Sequence, residues 1–162
     1  MSDAGKTDKG WIGQSIERHE DMRLLTGNGR YLADITLPGA LHLCLIRSQH
    51  GHARITGIDA SEALAMPGVV AVLTGEELSK EMQGQKIPVL LPAFPARYRQ
   101  YWPLAVDEVY WHGEPLAAVV AEDKYIAEDA AQSVVVTYEQ LPVVTDAEHA
   151  LTPDSEKVYA DW

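Results

Sequence analysis

The fold class is decided by residues 116–139, which read LAAVVAEDKYIAEDAAQSVVVTYE. The first six residues form an apolar, strand-like run, and the last seven are β-branched and strand-like as well. Between them, the Ala-rich residues 124–132 favour a helix. Because strands and helices mix along the chain without a regular strand–helix–strand period, we predict an α+β fold with a mixed sheet and short helices.

Further strands are predicted outside this stretch. Residues 41–48 alternate between the two faces of a strand. Leu41, Leu43 and Leu45 lie on one face, and His42, Cys44 and Ile46 lie on the other. A second strand is predicted over residues 55–58, and the apolar run 69–73 is typical of a buried central strand. Residues 109–121 are predicted to form a hairpin around the turn 112–115, and residues 143–150 a last short strand and turn.

Two short helices are predicted from their first residues. Asp59 stands three residues before Glu62, and Thr74 stands three residues before Glu77. This is the spacing of a capping box, in which each side chain accepts a backbone N–H at the start of the helix.

The chain is predicted to contain one folded domain over residues 35–152. Residues 1–10 are small, polar and charged, so we expect a flexible tail. Residues 11–34 are predicted to form an extended N-terminal arm. Residues 79–107 contain four prolines and several aromatic side chains, which are costly to leave in water. This long excursion is therefore the best candidate for an interface.

Charge and composition restrict the function. The chain has 162 residues, and its net charge at neutral pH is −11. An acidic surface repels phosphate groups, so we do not expect binding to nucleic acid or to an anionic membrane. No apolar run approaches the roughly 20 residues that a membrane helix needs. The polar start lacks the apolar stretch of a secretory signal, and we expect a cytoplasmic protein.

A metal site is one hypothesis for the histidines. His50 and His52 are separated by one residue, and His42 and Cys44 share a predicted strand face. Zinc and copper accept such ligands. Further ligands at recognisable spacing are missing, so hydrogen bonds to backbone groups explain His50 and His52 better. Cys44 is the only cysteine, which excludes an internal disulfide and an iron–sulfur cluster held by this chain. Its apolar neighbours favour a core residue over a nucleophile.

The remaining candidates specify no reaction. Gly27, Asn28 and Gly29 share features with a phosphate-binding loop, but a tight turn explains them better. Five carboxylates are candidates for acid–base catalysis, and nothing in the sequence pairs them. They are Glu20, Asp21, Asp107, Glu108 and Glu114. Arg18, Arg23 and Arg30 either pair within this acidic chain or hold a partner. We therefore predict no catalytic, cofactor-binding or metal-binding residue.

A series of motifs in the same order resembles one known family. Residues 12–35, IGQSIERHEDMRLLTGNGRYLADI, are similar to the opening of molybdenum-hydroxylase large subunits. This family includes xanthine dehydrogenase, aldehyde oxidase and aerobic carbon monoxide dehydrogenase. The similarity continues in RSQHGHARI (47–55), PGVVAVLTGEEL (67–78), LAVDEV (104–109), HGEPLA (112–117), AEDAA (127–131) and VTYEQLP (136–142). It covers about residues 11–152. Gln49 and Gly51 depart from it, since the family often has proline and alanine there.

The resemblance implies an N-terminal α/β hammerhead domain with residues 153–162 as a linker toward absent C-terminal domains. It further implies molybdopterin on the remainder of the large subunit, FAD on a medium subunit and 2Fe–2S clusters on a small subunit. In the family, the pterin-contacting and catalytic residues lie beyond this domain. A structural or docking role is therefore expected, with an exposed apolar patch at Trp102, Trp111 and residues 88–103. The alternative is a stand-alone binding or assembly module that reuses the hammerhead fold.

Overall fold

The computed structural model of the protein describes residues 12–87 and 100–159. The chain forms two compact units, Met1–Gly39 and Ala40–Trp162. Within the described ranges, no helix has the length and apolar character of a membrane span.

Four α-helices and six strands are formed by the described residues. The helices are α1 Asp21–Leu25, α2 Ser61–Ala65, α3 Gly75–Glu81 and α4 Lys124–Ser133, with 3₁₀ turns at Leu32–Asp34 and His149–Leu151. The strands are β1 His42–Arg47, β2 Ala53–Asp59, β3 Val69–Thr74, β4 Glu108–Val109, β5 Pro115–Ala121 and β6 Val135–Gln140.

The first unit contains helix α1, which ends at a glycine. Gly27 has a φ of +73°, and its N–H donates to the carbonyl oxygen of Leu24 at 3.2 Å. The N–H of Asn28 donates to the carbonyl oxygen of Arg23 at 2.9 Å. These two bonds form a Schellman cap, in which a residue at positive φ closes the helix. The glycine segment is thus a turn, as predicted, and it caps helix α1.

The strands of the second unit form two antiparallel sheets. The strand order is β1-β5-β3 in the first sheet and β4-β2-β6 in the second sheet. The α+β class is confirmed, with two small antiparallel sheets in place of one mixed sheet. An antiparallel sheet can keep one face on the core and the other face open to water.

The predicted hairpin over residues 109–121 is wrong, because β4 and β5 belong to different sheets. Glu114 lies in the turn between them, and its carboxylate accepts the N–H of Tyr110 at 2.6 Å. Its main-chain carbonyl accepts the N–H of Ser48 at 2.9 Å. The second bond holds the start of β5 at the end of β1, and β5 then pairs with β1 instead of β4.

The run predicted as a buried central strand lies at an edge. Strand β3 pairs with β5 alone among the described strands, and its Val70 and Leu73 are 53% and 37% exposed. The central strand of the first sheet is β5, in which residues 116–119 are buried. Apolar composition does not distinguish an edge strand from a central strand, because the position of a strand in the sheet depends on pairing with residues distant in the chain.

The strand predicted over residues 143–150 is also wrong. The carboxylate of Asp146 accepts the N–H groups of Glu148 and His149 at 2.8 and 3.2 Å. Such side-chain bonds compete with strand pairing. They begin a turn that leads into the 3₁₀ turn His149–Leu151.

The predicted capping box is confirmed before α3 and is wrong before α2. Thr74 and Glu77 form the predicted capping box, with the N–H of Glu77 3.3 Å from the Thr74 hydroxyl and the N–H of Thr74 3.0 Å from the Glu77 carboxylate. Before α2, the carboxylate of Asp59 accepts the N–H of Ser61 at 3.0 Å and does not pair with Glu62.

Two apolar clusters form the core of the second unit. One cluster joins the two sheets through Ala53 of β2, Val109 of β4 and Leu116 of β5. The other includes Val119 of β5 and Ala130 of α4, together with residues of α2. Helices α2 and α4 therefore cover the face of the first sheet that carries Val119.

Gly75 stands where two backbones approach each other at the start of α3. A Cβ atom at this position would collide with the carbonyl oxygen of Ala105 and lie 2.9 Å from that of Leu104. The N–H of Ala105 donates to the carbonyl oxygen of Pro115 at 2.8 Å. A glycine at this position lets the segment before β4 pass close to α3.

Candidate functional site

The two histidines of the hypothetical metal pair are held by different groups. His52 is buried, and its Nδ1 lies 2.8 Å from the carbonyl oxygen of Pro142, which requires a proton on Nδ1. His50 Nδ1 lies 3.1 Å from Nε2 of Gln140, and its ring meets Tyr138 edge-on with centroids 4.7 Å apart. The described residues contain no group of three His, Cys, Asp or Glu side chains that could hold a metal ion.

Arg54 links the three strands of the second sheet. Its Nη1 lies 2.6 Å from Glu139 Oε2, and its Nη2 lies 3.4 Å from Glu108 Oε1. Both glutamates stand opposite Arg54 in the strand register, so one side chain on the central strand reaches both neighbours. The arginine side chain is 49% exposed, and each such pair contributes about 0.2–1 kcal/mol.

The candidate carboxylates of the second unit, Asp107, Glu108 and Glu114, line one small pocket but have different partners. Glu108 pairs with Arg54, and buried Glu114 accepts the N–H of Tyr110. Asp107 is exposed, and its main-chain carbonyl accepts the N–H of Ile55 at 2.8 Å. Glu114 therefore anchors the chain between the two sheets, a role that no local sequence pattern indicates.

The candidates in the first unit lie near helix α1. Glu20 precedes this helix, and Asp21 in its first turn faces Arg18, whose Nε is 3.8 Å from the carboxylate. Arg18 thus pairs within its own unit, which is one of the two alternatives for the arginines. Arg23 and Arg30 are exposed.

Cys44 lines an open groove beside β1. The groove has a volume of about 830 Å³ and lies between β1, α4 and β6. Cys44 is half-buried there, and the charged or titratable lining includes Arg47, His50 and Glu128. His42 is exposed and does not line the groove.

An aromatic cluster forms where the described chain resumes at residue 100. Tyr101 and Trp111 meet edge-on with centroids 5.4 Å apart, and both are partly exposed. The Lys86 ammonium lies 5.3 Å from the ring centroid of Trp102, which is half-buried. The N–H of Ile87 donates to the carbonyl oxygen of Tyr101 at 2.9 Å. Of the predicted apolar patch, Trp111 is exposed and Trp102 only partly so, while residues 88–99 lie outside the described residues.

A second apolar surface lies on the first sheet, on the face opposite Val119. Leu43 pairs with Val120, and Leu45 pairs with Ala118, which also pairs with Leu73 of β3. We call Leu43, Leu45, Leu73 and Val120 the leucine face. Leu43 is 57% exposed, and Leu45 and Leu73 are each 37% exposed. The sequence showed the alternation in β1, but Cys44 and Ile46 make the other face largely apolar as well, so the exposed face was not distinguishable.

Residues 26–142 match the family model for the aldehyde oxidase and xanthine dehydrogenase a/b hammerhead domain. The chain belongs to this family. The match extends from the cap of α1 past the end of β6, so the leucine face, the aromatic cluster and Arg54 all lie within the hammerhead domain.

Curated relatives are large oxidoreductase subunits. The hammerhead domain is 44% identical over 149 residues to the gamma subunit of the 6-hydroxypseudooxynicotine dehydrogenase complex of Paenarthrobacter nicotinovorans. This alignment covers 88% of this chain and 18% of the relative. It is 42% identical over 142 residues to the carbon monoxide dehydrogenase large chain of Hydrogenophaga pseudoflava, covering 88% of this chain and 17% of the relative.

A solved structure gives the same result for the fold. A Cu,Mo carbon monoxide dehydrogenase structure superposes with a TM-score of 0.76 at 40% identity, over 89% of this chain and 17% of that chain. The domain is thus part of the molybdenum-hydroxylase large-subunit family. It spans less than a fifth of the length of the relatives that it matches.

The donor groups of this domain do not fit an iron–sulfur cluster. A 2Fe–2S cluster takes four protein ligands, usually cysteine thiolates, and the chain has one cysteine. Cys44, His50 and Glu128 line one groove, yet the described residues hold no metal-binding group of three such side chains.

Proposed function

We propose that this hammerhead domain is a structural and docking part of the large subunit of a molybdenum hydroxylase. It carries no catalytic residue of its own and contributes to an oxidoreductase by holding other parts of the enzyme in place.

The observation that carries this proposal is the unequal coverage of the matches. The aligned segments take up 88% of this chain but only 18% and 17% of the two relatives. A domain that matches a small part of a much longer enzyme contributes to a larger assembly, and most of the residues for binding and chemistry then lie elsewhere in that assembly.

The exposed apolar side chains support a docking role. Seven aliphatic side chains of the first unit are more than half exposed. They are Ile12, Ile16, Met22, Leu25, Leu32, Ile35 and Leu37. A complex gains about 25 cal/mol of stability for each Å² of apolar surface that a partner covers. So many exposed apolar side chains in one short segment support a surface that binds another part of a protein.

The complete complex, under this proposal, carries molybdopterin in the remainder of the large subunit, FAD in a medium subunit and 2Fe–2S clusters in a small subunit. We place it in the cytoplasm. The familial link to a Cu,Mo enzyme supports the molybdenum, and the single cysteine supports a separate iron–sulfur subunit.

The test is to isolate the chain with its companions from its native cells, by an antibody against it, and to measure molybdenum, iron and flavin in the eluate. We expect all three, together with larger polypeptides whose peptides match the remainder of a hydroxylase large subunit and its two partner subunits. The control is a mock isolation without the antibody.

The alternative function, a stand-alone binding or assembly module, predicts a colourless chain without metal or companions. That result would overturn the proposal. Reduction of an artificial electron acceptor by the isolated chain, with carbon monoxide, an aldehyde or a nicotine derivative as electron donor, would contradict its non-catalytic part.

A further inference from the structure

The leucine face is apolar across three paired strands. The register places Leu43 beside Val120 and Ala71 in one row, and Leu45 beside Ala118 and Leu73 in the next row. All six of these side chains are apolar. Interfaces that are permanent have such apolar centres, whereas interfaces that exchange partners are more polar.

The net charge of the chain argues against a second copy as the occupant of this face. Each copy carries a charge of −11, so two copies brought together repel each other. Relatives of this domain extend over more than four-fifths of their length beyond the matched segment.

We propose that the leucine face packs against an apolar surface of the molybdopterin-binding remainder of the large subunit, as a permanent interface. The inference rests on the proposed function, since it requires the domain to be part of such a subunit. It adds the surface and the partner: the first sheet binds the remainder of the large subunit, and the flavin and iron–sulfur subunits bind elsewhere.

Photo-crosslinking in the native cells tests the assignment. The crosslinking amino acid p-benzoylphenylalanine is placed at Leu43, and as a matched control at Leu64 on α2. The two leucines are 57% and 55% exposed, but Leu64 lies on a helix that packs on the opposite face of the sheet. We expect Leu43 to yield a crosslink to peptides of the large-subunit remainder, and Leu64 to yield none to that region.

A lysine substitution provides a second readout. Leu43→Lys is expected to lower the molybdenum recovered per chain by about tenfold or more, because an ammonium group is not desolvated against an apolar surface without a partner. Leu64→Lys is expected to leave it within about twofold. Both variants are expected to retain the unfolding midpoint of the unchanged chain, and this control separates a loss of binding at Leu43 from misfolding.

Several outcomes would overturn the inference. They are a crosslink from Leu43 to a second copy, to residues 12–39, or to the flavin or iron–sulfur subunit, and equal effects of the two lysine variants. If molybdenum and flavin still accompany the unchanged chain, such a result contradicts only the assignment of the leucine face as an interface and does not contradict the proposed function. If nothing accompanies the unchanged chain, both fail.

Discussion

Replacing Gly75 by alanine tests the close approach of two backbones at the start of α3. The added Cβ would collide with the carbonyl oxygen of Ala105 and lie 2.6 Å from its carbonyl carbon. A backbone carbonyl cannot rotate away as the end of a side chain can. The φ of Gly75 is not positive, so alanine meets no backbone strain there and has the better helix propensity. Any loss of stability therefore comes from the collision.

The magnitude follows from what must move. Overpacking a buried position costs about 1–3 kcal/mol. Displacing Ala105 also lengthens its 2.8 Å hydrogen bond to Pro115, which contributes about 1 kcal/mol. The better helix propensity of alanine returns up to about 1 kcal/mol. We expect Gly75→Ala to lower the free energy of unfolding by about 1–3 kcal/mol, a substantial part of the roughly 5–15 kcal/mol typical of a domain.

Urea unfolding followed by circular dichroism measures this difference. Gly57→Ala on β2 is the matched control, because the nearest atom to its new Cβ is the side-chain hydroxyl of Thr137 at 3.0 Å, which can rotate. We expect the control to change stability by less than about 1 kcal/mol. Equal stability of Gly75→Ala and the unchanged chain would refute the steric argument.

Three further substitutions test local interactions. Thr74→Ala should lower the free energy of unfolding by about 1 kcal/mol near neutral pH. The N–H and hydroxyl of Thr74 hold the pKa of Glu77 below its usual 4.5, so part of this stability is present above that pH and lost below it. Unfolding at neutral and at acidic pH should therefore show a smaller difference between the variant and the unchanged chain at acidic pH. Glu114→Ala should lower the free energy of unfolding in urea by about 1–3 kcal/mol, because it removes the acceptor of the Tyr110 N–H. Glu114→Gln should lower it less because its side chain keeps an oxygen there, and equal losses of the two variants would contradict this. Burial raises the pKa of Tyr138 above its ordinary value, so the stability contributed by its neutral form is lost as the pH rises through the raised pKa. Tyr138→Phe should remove one late-titrating tyrosinate from an ultraviolet titration, and an unchanged titration would contradict this.

Features that depend on neighbouring residues could be predicted from the sequence. The alternation in residues 41–48 predicted β1, and the Thr74–Glu77 spacing predicted a capping box. The helix over residues 124–132 is confirmed as α4, Lys124–Ser133. In each case the signal and the structure lie within a few residues of each other, so local propensity decides the outcome.

Features that depend on distant residues could not be predicted in this way. The hydrogen bond between Ser48 and the carbonyl of Glu114 separates β5 from β4, and nothing near Glu114 in the sequence indicates it. The need for glycine at position 75 depends on Ala105, thirty positions away. The candidate site shows the same limit: resemblance indicated a docking role, but the exposed face of β1 depends on which side of the sheet α2 and α4 cover.

The strand order has a consequence for synthesis of the chain. Both outer strands of the first sheet, β1 and β3, must wait for β5, whose first residue is Pro115. A ribosome adds about 5–20 residues per second, so the roughly 70 residues from Arg47 to Pro115 take about 3–14 seconds. During this time the leucines of β1 have no strand beside them in that sheet, and a nascent segment of this kind is open to aggregation. Yield in a foreign host should therefore depend on chaperone capacity more than on the stability of the finished fold.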